Sequence, residues 1–350
     1  MEGNIKKVRS PYDIKVLTIL LNQVCNFSCA YCYSAKGRSK AVLSMDTVAP
    51  VLDFFITRER GKRLQIVFSG GGDPLLSFDS FRNTVDYARS LAEKEGVTLD
   101  FGVVTNGSLL KDETIEYLKS ADIGLVVSFD VLKDVHDVQR SHYDVVASTL
   151  DRLFNAGMYP GIRSTITPLN VSRQKEMVEE LHSRFPKAGC VAFEAVINEK
   201  LFPDTVCLRN FYEAFVDNFF LARETGKSLG IEVGNTEFMN ASVMQERSCL
   251  GKFVLTPEGN LTACSRISSS LEDHHDSFLY GNVRDGKVII DDQRYSSIMN
   301  EADAYKEECL ECPARWNCGG GCLLARKSYS SGYFKEHCRF ICSMTERAQR

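Results

Sequence analysis

The stretch Cys25-Asn26-Phe27-Ser28-Cys29-Ala30-Tyr31-Cys32 puts three thiols, spaced by three and two residues, on one short loop. Three such thiols can wrap a metal cluster without help from elsewhere in the chain. An iron–sulfur cubane is normally held by four cysteine thiolates, so a loop offering three leaves one iron open to something that reacts. That asymmetry points to catalysis. The alternatives left by the loop alone are a structural zinc and a set of buried free thiols.

Outward from the loop, the chain alternates. Residues 14–21 read as a buried first strand that delivers the loop at its C-terminal end. Ser44 can N-cap a helix to about Arg58, with Val48, Val51, Leu52 and Phe55 at helical spacing. Strands follow at 64–68, 98–104, 123–129, 161–166 and 190–196, with helices at 78–95, 111–119, 144–155, 171–185 and 208–225, the last rich in Phe. Six strand–helix units imply an α/β fold with a parallel sheet and right-handed crossovers, an open partial (β/α)6 TIM-like barrel. In such barrels chemistry collects at the C-terminal strand ends. There stand the thiol loop, Gly70-Gly71-Gly72-Asp73-Pro74, Thr105-Asn106-Gly107, and Ser128 with Asp130.

The balanced composition, 44% hydrophobic and 25% charged, is that of a globular protein with a sizeable core. A net charge of −4 is too small and mixed to argue for a nucleic-acid or membrane partner, and Lys6-Lys7-Val8-Arg9 reads as a solvated end. No secretory h-region follows, and the apolar run 16–21 is too short to span a bilayer, so a cytoplasmic location is expected. In a reducing compartment the 13 cysteines are better explained as metal ligands than as disulfides. Three lie near residue 30 and eight between Cys249 and Cys342; Cys190 and Cys207, without ligand spacing, read as core thiols.

With Tyr31 just before the third cysteine, the CxxxCxxC loop resembles that of the radical S-adenosylmethionine (SAM) enzymes, in which SAM chelates the open iron. The resemblance implies a SAM-binding [4Fe-4S] cluster on Cys25, Cys29 and Cys32. Gly70–Pro74 corresponds to the family's GGEP turn at the methionyl amine, with Gly71, Gly72, Asp73 and Pro74 as contacts, Asp73 being one methylene shorter than the usual Glu. Asn106 belongs to the same expected SAM site. Ser128-Phe129-Asp130 matches the ribose-contacting strand end. His136-Asp137-Val138-Gln139-Arg140 matches HDxxR, with Arg140 suited to the methionyl carboxylate; the other reading of Arg140 is a surface residue beside Asp137. Val131 stands where the family has Gly, so that turn is expected to differ.

Beyond a boundary near Ile231–Glu237, dividing 1–234 from 235–350, the pattern becomes cysteine plus hairpin. Hairpins are expected at 253–263 and around 284–287, with a helix near 292–300. Cys249, then Gly259-x4-Cys264, then Cys309-x2-Cys312-x5-Cys318-x3-Cys322, then Cys338 and Cys342 resemble the SPASM domain of radical SAM enzymes; a zinc ribbon is the structural alternative. The resemblance assigns one auxiliary [4Fe-4S] cluster to Cys249, Cys264 and Cys322, with Cys342 the residue that could complete it, and a second to Cys309, Cys312, Cys318 and Cys338. That makes three [4Fe-4S] clusters and SAM.

The resemblance implies reductive cleavage of SAM to a 5′-deoxyadenosyl radical that takes hydrogen from a peptide or protein side chain, giving a carbon–carbon, thioether or ether crosslink or another oxidation. The implied partners are a ribosomally made peptide, leader-dependent or not, and an electron donor such as flavodoxin or ferredoxin. Formylglycine formation, as in anaerobic sulfatase maturases, is the alternative; there an Asp follows the second auxiliary cysteine, and here Ser265 does. Glu194, near the end of the sixth strand, is the candidate base, an ion-pair role being the other reading. Only 24 residues precede Cys25, which leaves no room for a leader-binding domain in front of the barrel. A non-catalytic iron–sulfur carrier or sensor is the rival from another class.

Overall fold

The computed structural model describes residues 5–305 and 307–350. Its first part runs β1 (Val16–Ile19), α1 (Met45–Phe55), β2 (Arg63–Phe68), α2 (Phe78–Glu95), β3 (Thr98–Thr105), α3 (Asp112–Ser120) and β4 (Ile123–Ser128). Then come α4 (Lys133–Gln139), α5 (Tyr143–Asn155), β5 (Gly161–Ile166), α6 (Gln174–Arg184), β6 (Cys190–Ala195), α7 (Thr205–Leu229) and β7 (Glu232–Gly234). The second part holds α8 (Thr236–Asn240), β8 (Phe253–Leu255), β9 (Asn260–Thr262), α9 (His275–Phe278), β10 (Leu279–Arg284) and β11 (Lys287–Ile290). It ends with α10 (Asp292–Asp303), α11 (Arg315–Cys318), α12 (Leu323–Ser328) and α13 (Ser331–Ala348).

Strands β1 to β7 pair in chain order, all parallel. Alternate residues explain the layering. Leu64, Ile66, Phe68, Val103, Leu125, Val127, Ile162, Val191 and Phe193 are buried, on the face where Phe68 meets Phe81 of α2 edge-on at 4.6 Å. The residues between them, among them Val104, Ser128, Arg163, Thr165 and Glu194, remain half-buried or exposed. One face is therefore sealed by helices and the other is open, as a substrate-holding half-barrel requires.

The structure adds a seventh parallel strand, β7, and continues the sheet past β1: β8 pairs parallel with β1, and β9, β10 and β11 extend it antiparallel. The cysteine-rich part thus shares one sheet with the barrel. A second bond between the two parts is aromatic. Phe340 of α13 stacks on Tyr212 of α7 at 4.6 Å and meets Phe215 edge-on at 5.3 Å.

Three expectations are corrected. Cys190 and Cys207 are exposed, because Cys190 begins β6 and Cys207 lies about 100° round α7 from its buried Leu208, Phe211, Tyr212 and Phe215 stripe. Ser44 starts α1, but its hydroxyl meets the Thr47 hydroxyl at 3.4 Å and caps no backbone N–H. The 6–9 segment is solvated only in its side chains: the Lys6 and Arg9 N–H groups donate to the Met244 and Leu250 carbonyls at 3.0 and 2.9 Å. No described helix is long and apolar enough to cross a membrane.

Candidate active site

The loop after β1 is built against the turn after β2. Gly72 and Asp73 donate their N–H groups to the Asn22 and Val24 carbonyls, each at 2.8 Å. A Cβ on Gly72 would lie 1.8 Å from the Val24 oxygen, so this glycine is required by the chain's own close approach. The same contact sets the position of Gly71 and Pro74.

Asp73 ties this turn to the end of β3. Its carboxylate accepts from Leu75 N–H (3.0 Å), the Thr105 hydroxyl (2.8 Å) and Asn106 N–H (2.7 Å). Burial raises its carboxyl pKa against the pull of those bonds. Asn106 in turn donates to Asn26 Oδ1 at 2.8 Å and lies 3.9 Å from Cys25 Sγ. In this arrangement Asp73 places Asn106, and Asn106 places the thiol loop.

The three thiols face one another closely enough that Cys25 and Cys32 act electrostatically on Cys29, whose pKa is raised chiefly by burial. Donors surround them: Phe27 N–H at 3.5 Å from Cys25 Sγ and Arg38 Nη2 at 3.6 Å from Cys32 Sγ. Such donors favour thiolates, the form that ligates iron.

Beside the thiols, Tyr31 donates to Asp130 Oδ2 at 2.7 Å and accepts from Arg140 Nη1 at 2.8 Å. Asp130 also accepts from Gln139 Nε2 at 3.0 Å and Thr165 N–H at 2.9 Å. Burial alone would lower the Arg140 pKa; Tyr31, Asp130 and Cys29 hold it above its ordinary value. Arg140 Nε is buried without a partner, a donor left over in a site where an incoming carboxylate fits. Arg140 is 7% exposed, so it is not the surface residue of the second reading; Asp137 instead accepts from Tyr143 N–H at 2.9 Å. The HDxxR segment lies on α4, and His136 Nδ1 accepts the Asp130 N–H at 3.2 Å. Val131 makes the glycine-type turn itself, with φ +55°, a strained conformation for a β-branched residue.

Ser128 ends β4 in register with Arg163 of β5, and Thr165 is in register with Glu194 of β6. Glu194 faces the open side as an ion pair, 3.7 Å from Arg163 Nη2, and accepts the Thr236 hydroxyl at 2.6 Å. Behind it, burial and then the Glu194 charge push the Glu237 carboxyl up to about 7. Sequence reasoning missed Glu237, Gln139, Thr165 and Tyr33. Only Tyr33 carried a signal, its place beside Cys32.

The remaining thiols form two groups. Cys264, pushed up to about 12 by burial, feels Cys322 and Cys249. Burial also raises Cys318, which feels Cys338, Cys309 and Cys312. Cys342 stands with the second group, its Sγ 3.5 Å from Cys312 Sγ, not with the first, because Cys338 and Cys342 lie one turn apart on α13. Among the described residues no set of three His, Cys, Asp or Glu side chains is arranged to hold a single metal ion. The donor sets fit clusters: two all-sulfur groups and one three-thiol loop.

A family model described as the Radical SAM superfamily matches residues 19–183, the stretch that holds the thiol loop, the glycine turn and the HDxxR segment. It is 21% identical to the radical SAM cyclopropyl synthase TigE of Paramaledivibacter caminithermalis, across 93% of this chain and 72% of that protein. It is 22% identical to a serine-type anaerobic sulfatase-maturating enzyme of Klebsiella aerogenes, across 90% of this chain and 80% of that one. Its fold is similar to the solved structure of native anSMEcpe with bound AdoMet, with a TM-score of 0.75 at 17% identity, covering 95% of this chain and 98% of that one.

Proposed function

We propose that the chain is a radical SAM peptide maturase that oxidatively modifies a ribosomally made peptide, for example by a carbon–carbon, thioether or ether crosslink. The observation that carries this reading is the three-thiol loop at the end of β1, beside a buried guanidinium with an unpartnered Nε, on the rim of an open parallel sheet. The likeness to TigE and to a sulfatase maturase supports it.

Cys25, Cys29 and Cys32 would hold the SAM-binding cluster, Cys249, Cys264 and Cys322 one auxiliary cluster, and Cys309, Cys312, Cys318 and Cys338 the other. Bound there, these groups supply one-electron cleavage of SAM to a hydrogen-abstracting 5′-deoxyadenosyl radical and, later, a one-electron acceptor. The chain's own residues bind and aim. Arg140 receives the methionyl carboxylate, and Tyr31 and Asp130 fix its guanidinium. Asp73, through Asn106, holds the thiol loop in place. Gly71, Gly72 and Pro74 shape the adjoining turn, and Ser128 and Asp130 lie where the ribose is expected.

A crosslink removes from the peptide one hydrogen atom, one electron and one proton. Glu194 is the base we assign to the proton, on the open face in front of Glu237. Ser265 accepts a hydrogen bond from Lys252 Nζ at 2.9 Å and carries no carboxylate, which favours crosslinking over the formylglycine alternative. The reading includes a flavodoxin or ferredoxin donor and a cytoplasmic setting.

The test is anaerobic incubation of reconstituted protein with SAM, a reductant and the peptides encoded beside its gene, followed by tandem mass spectrometry. A peptide that loses two hydrogens, with fragmentation suppressed between the joined residues, is the expected result. SAM turnover with every such peptide unchanged contradicts the maturase reading. Absence of SAM binding would favour the iron–sulfur carrier.

A further inference from the structure

The chain leaves the three-thiol loop through a tight return. Ala35 and Gly37 donate their N–H groups to the Cys32 and Ser34 carbonyls at 3.3 and 3.2 Å, and the return brings Arg38 back to the thiols. Its Nη1 donates to the Cys25 carbonyl at 3.1 Å, and its Nη2 lies 3.6 Å from Cys32 Sγ. One planar guanidinium thus spans the first and the last thiol residue of the loop.

The return is clasped from the cysteine-rich part. Lys36 pairs with Asp273 at 2.5 Å, and a Cβ on Gly37 would lie 2.5 Å from Glu272 Oε1. Glu272 is fixed in turn, because its carboxylate accepts from the Ser268 N–H at 2.6 Å, the Ser268 hydroxyl at 2.8 Å and the Ser269 N–H at 3.2 Å. The two residues before Arg38 are therefore held from outside the loop, and Arg38 itself is half-buried.

A second guanidinium shows what sets the first apart. Arg326 Nη2 stands 3.9 Å from Cys309 Sγ, but its Nη1 is paired with Glu308 Oε2 at 3.0 Å, so the charge beside that thiol is already balanced. Arg38 has no carboxylate partner among the described residues. Its charge is left to the thiols. Positive charge and N–H donors at a ligating sulfur favour the reduced state of an iron–sulfur cluster, which carries one more negative charge than the oxidised state. The effect is larger in a half-buried site than in open water.

We propose that Arg38 sets the reduction potential of the cluster assigned to Cys25, Cys29 and Cys32, raising it through an unbalanced positive charge at Cys32. The electron comes from the one-electron donor, a flavodoxin or ferredoxin, and no proton need accompany it, because the guanidinium already offsets the added charge. Arg38 acts through Cys32 and is a positioning residue. The proposal rests on the cluster that the maturase reading places on this loop, and its test needs neither SAM nor peptide, so the two can fail separately.

Reconstituted full-length protein is taken through an anaerobic redox titration without SAM, and the reduced clusters are followed by electron paramagnetic resonance. The signal of the first loop is the component missing from the Cys25/Cys29/Cys32→Ala variant. SAM binding and 5′-deoxyadenosine formation are measured separately. In Arg38→Gln, with iron retained, the oxidised-to-reduced ratio of that component at a fixed potential is expected to rise about tenfold, a fall of about 59 mV in the midpoint for one electron. Arg38→Lys, which keeps the charge, should recover most of the shift. An unmoved midpoint in Arg38→Gln, or an equal fall in Arg38→Lys, overturns the proposal. Loss of the first-loop iron in Arg38→Gln also overturns it, because Arg38 would then hold the cluster rather than tune it. The expected shift in a protein that neither binds nor cleaves SAM would uphold the tuning while removing the maturase reading. A parent whose signal matches that of the Cys25/Cys29/Cys32→Ala variant would remove both.

Discussion

Asp73 shows how one side chain sets the geometry of a reactive loop it does not touch. Its carboxylate gathers Leu75 N–H, the Thr105 hydroxyl and Asn106 N–H, and Asn106 then reaches Asn26 and Cys25. In Asp73→Asn, one carboxylate oxygen becomes an NH2 that faces a donor, leaving a buried group unsatisfied. We expect a loss of about 2 kcal/mol in urea unfolding and weaker iron retention by the thiol loop. An unchanged midpoint and iron content would show that the carboxylate does not organise the loop. The residue types of this site were legible because thiol spacing and strand-end position are local properties. The roles of Asp73 and Tyr31 were less so, because each is defined by partners far along the chain: Thr105 and Asn106 for one, Asp130 and Arg140 for the other. Val131 hid the turn it makes, since a β-branched residue is a poor signal for positive φ.

Among the elements, the longer strands and helices were readable from the sequence: apolar runs marked β2 to β6, and apolar residues at helical spacing marked α1. Short pieces were not. β7 and β8 have three residues each, too few for a period, and the parallel pairing of β8 with β1 depends on a return of the chain that no local pattern encodes. α4, with the sequence KDVHDVQ, buries only Val135, His136 and Gln139 and lacks an apolar stripe. The exposure of Cys207 was legible in principle from the α7 stripe it falls outside. α13 shows what a packed helix contributes to a metal-binding region, because the helix that carries Cys338 on one face is held to the barrel on the other by Phe340 against Tyr212 and Phe215. Phe340→Ala removes that clasp from a site 3% exposed. We expect it to cost about 3–5 kcal/mol and to reduce iron at the Cys309, Cys312, Cys318, Cys338 group while sparing the loop of Cys25, Cys29 and Cys32. A cost below about 1 kcal/mol, small for a buried Phe, would mean that α13 is held elsewhere.

At the scale of the whole molecule, two segments distant in sequence close one site. The sheet runs unbroken from β11 through β1 to β7. Gln23 donates to the Ser268 carbonyl, and Lys36 pairs with Asp273 at 2.5 Å. The thiol loop is thereby fastened to the segment that follows Cys264. The account's central claim is the proposed one, that SAM is cleaved on the first loop, which the cysteine-rich part helps to hold. The direct measurement is formation of 5′-deoxyadenosine by anaerobically reconstituted, reduced protein given SAM, compared with the Cys25/Cys29/Cys32→Ala variant. The account predicts nucleoside from the parent and none from the variant, with the variant losing about four of about twelve irons. A parent that holds its full iron yet neither binds SAM nor releases the nucleoside would contradict it.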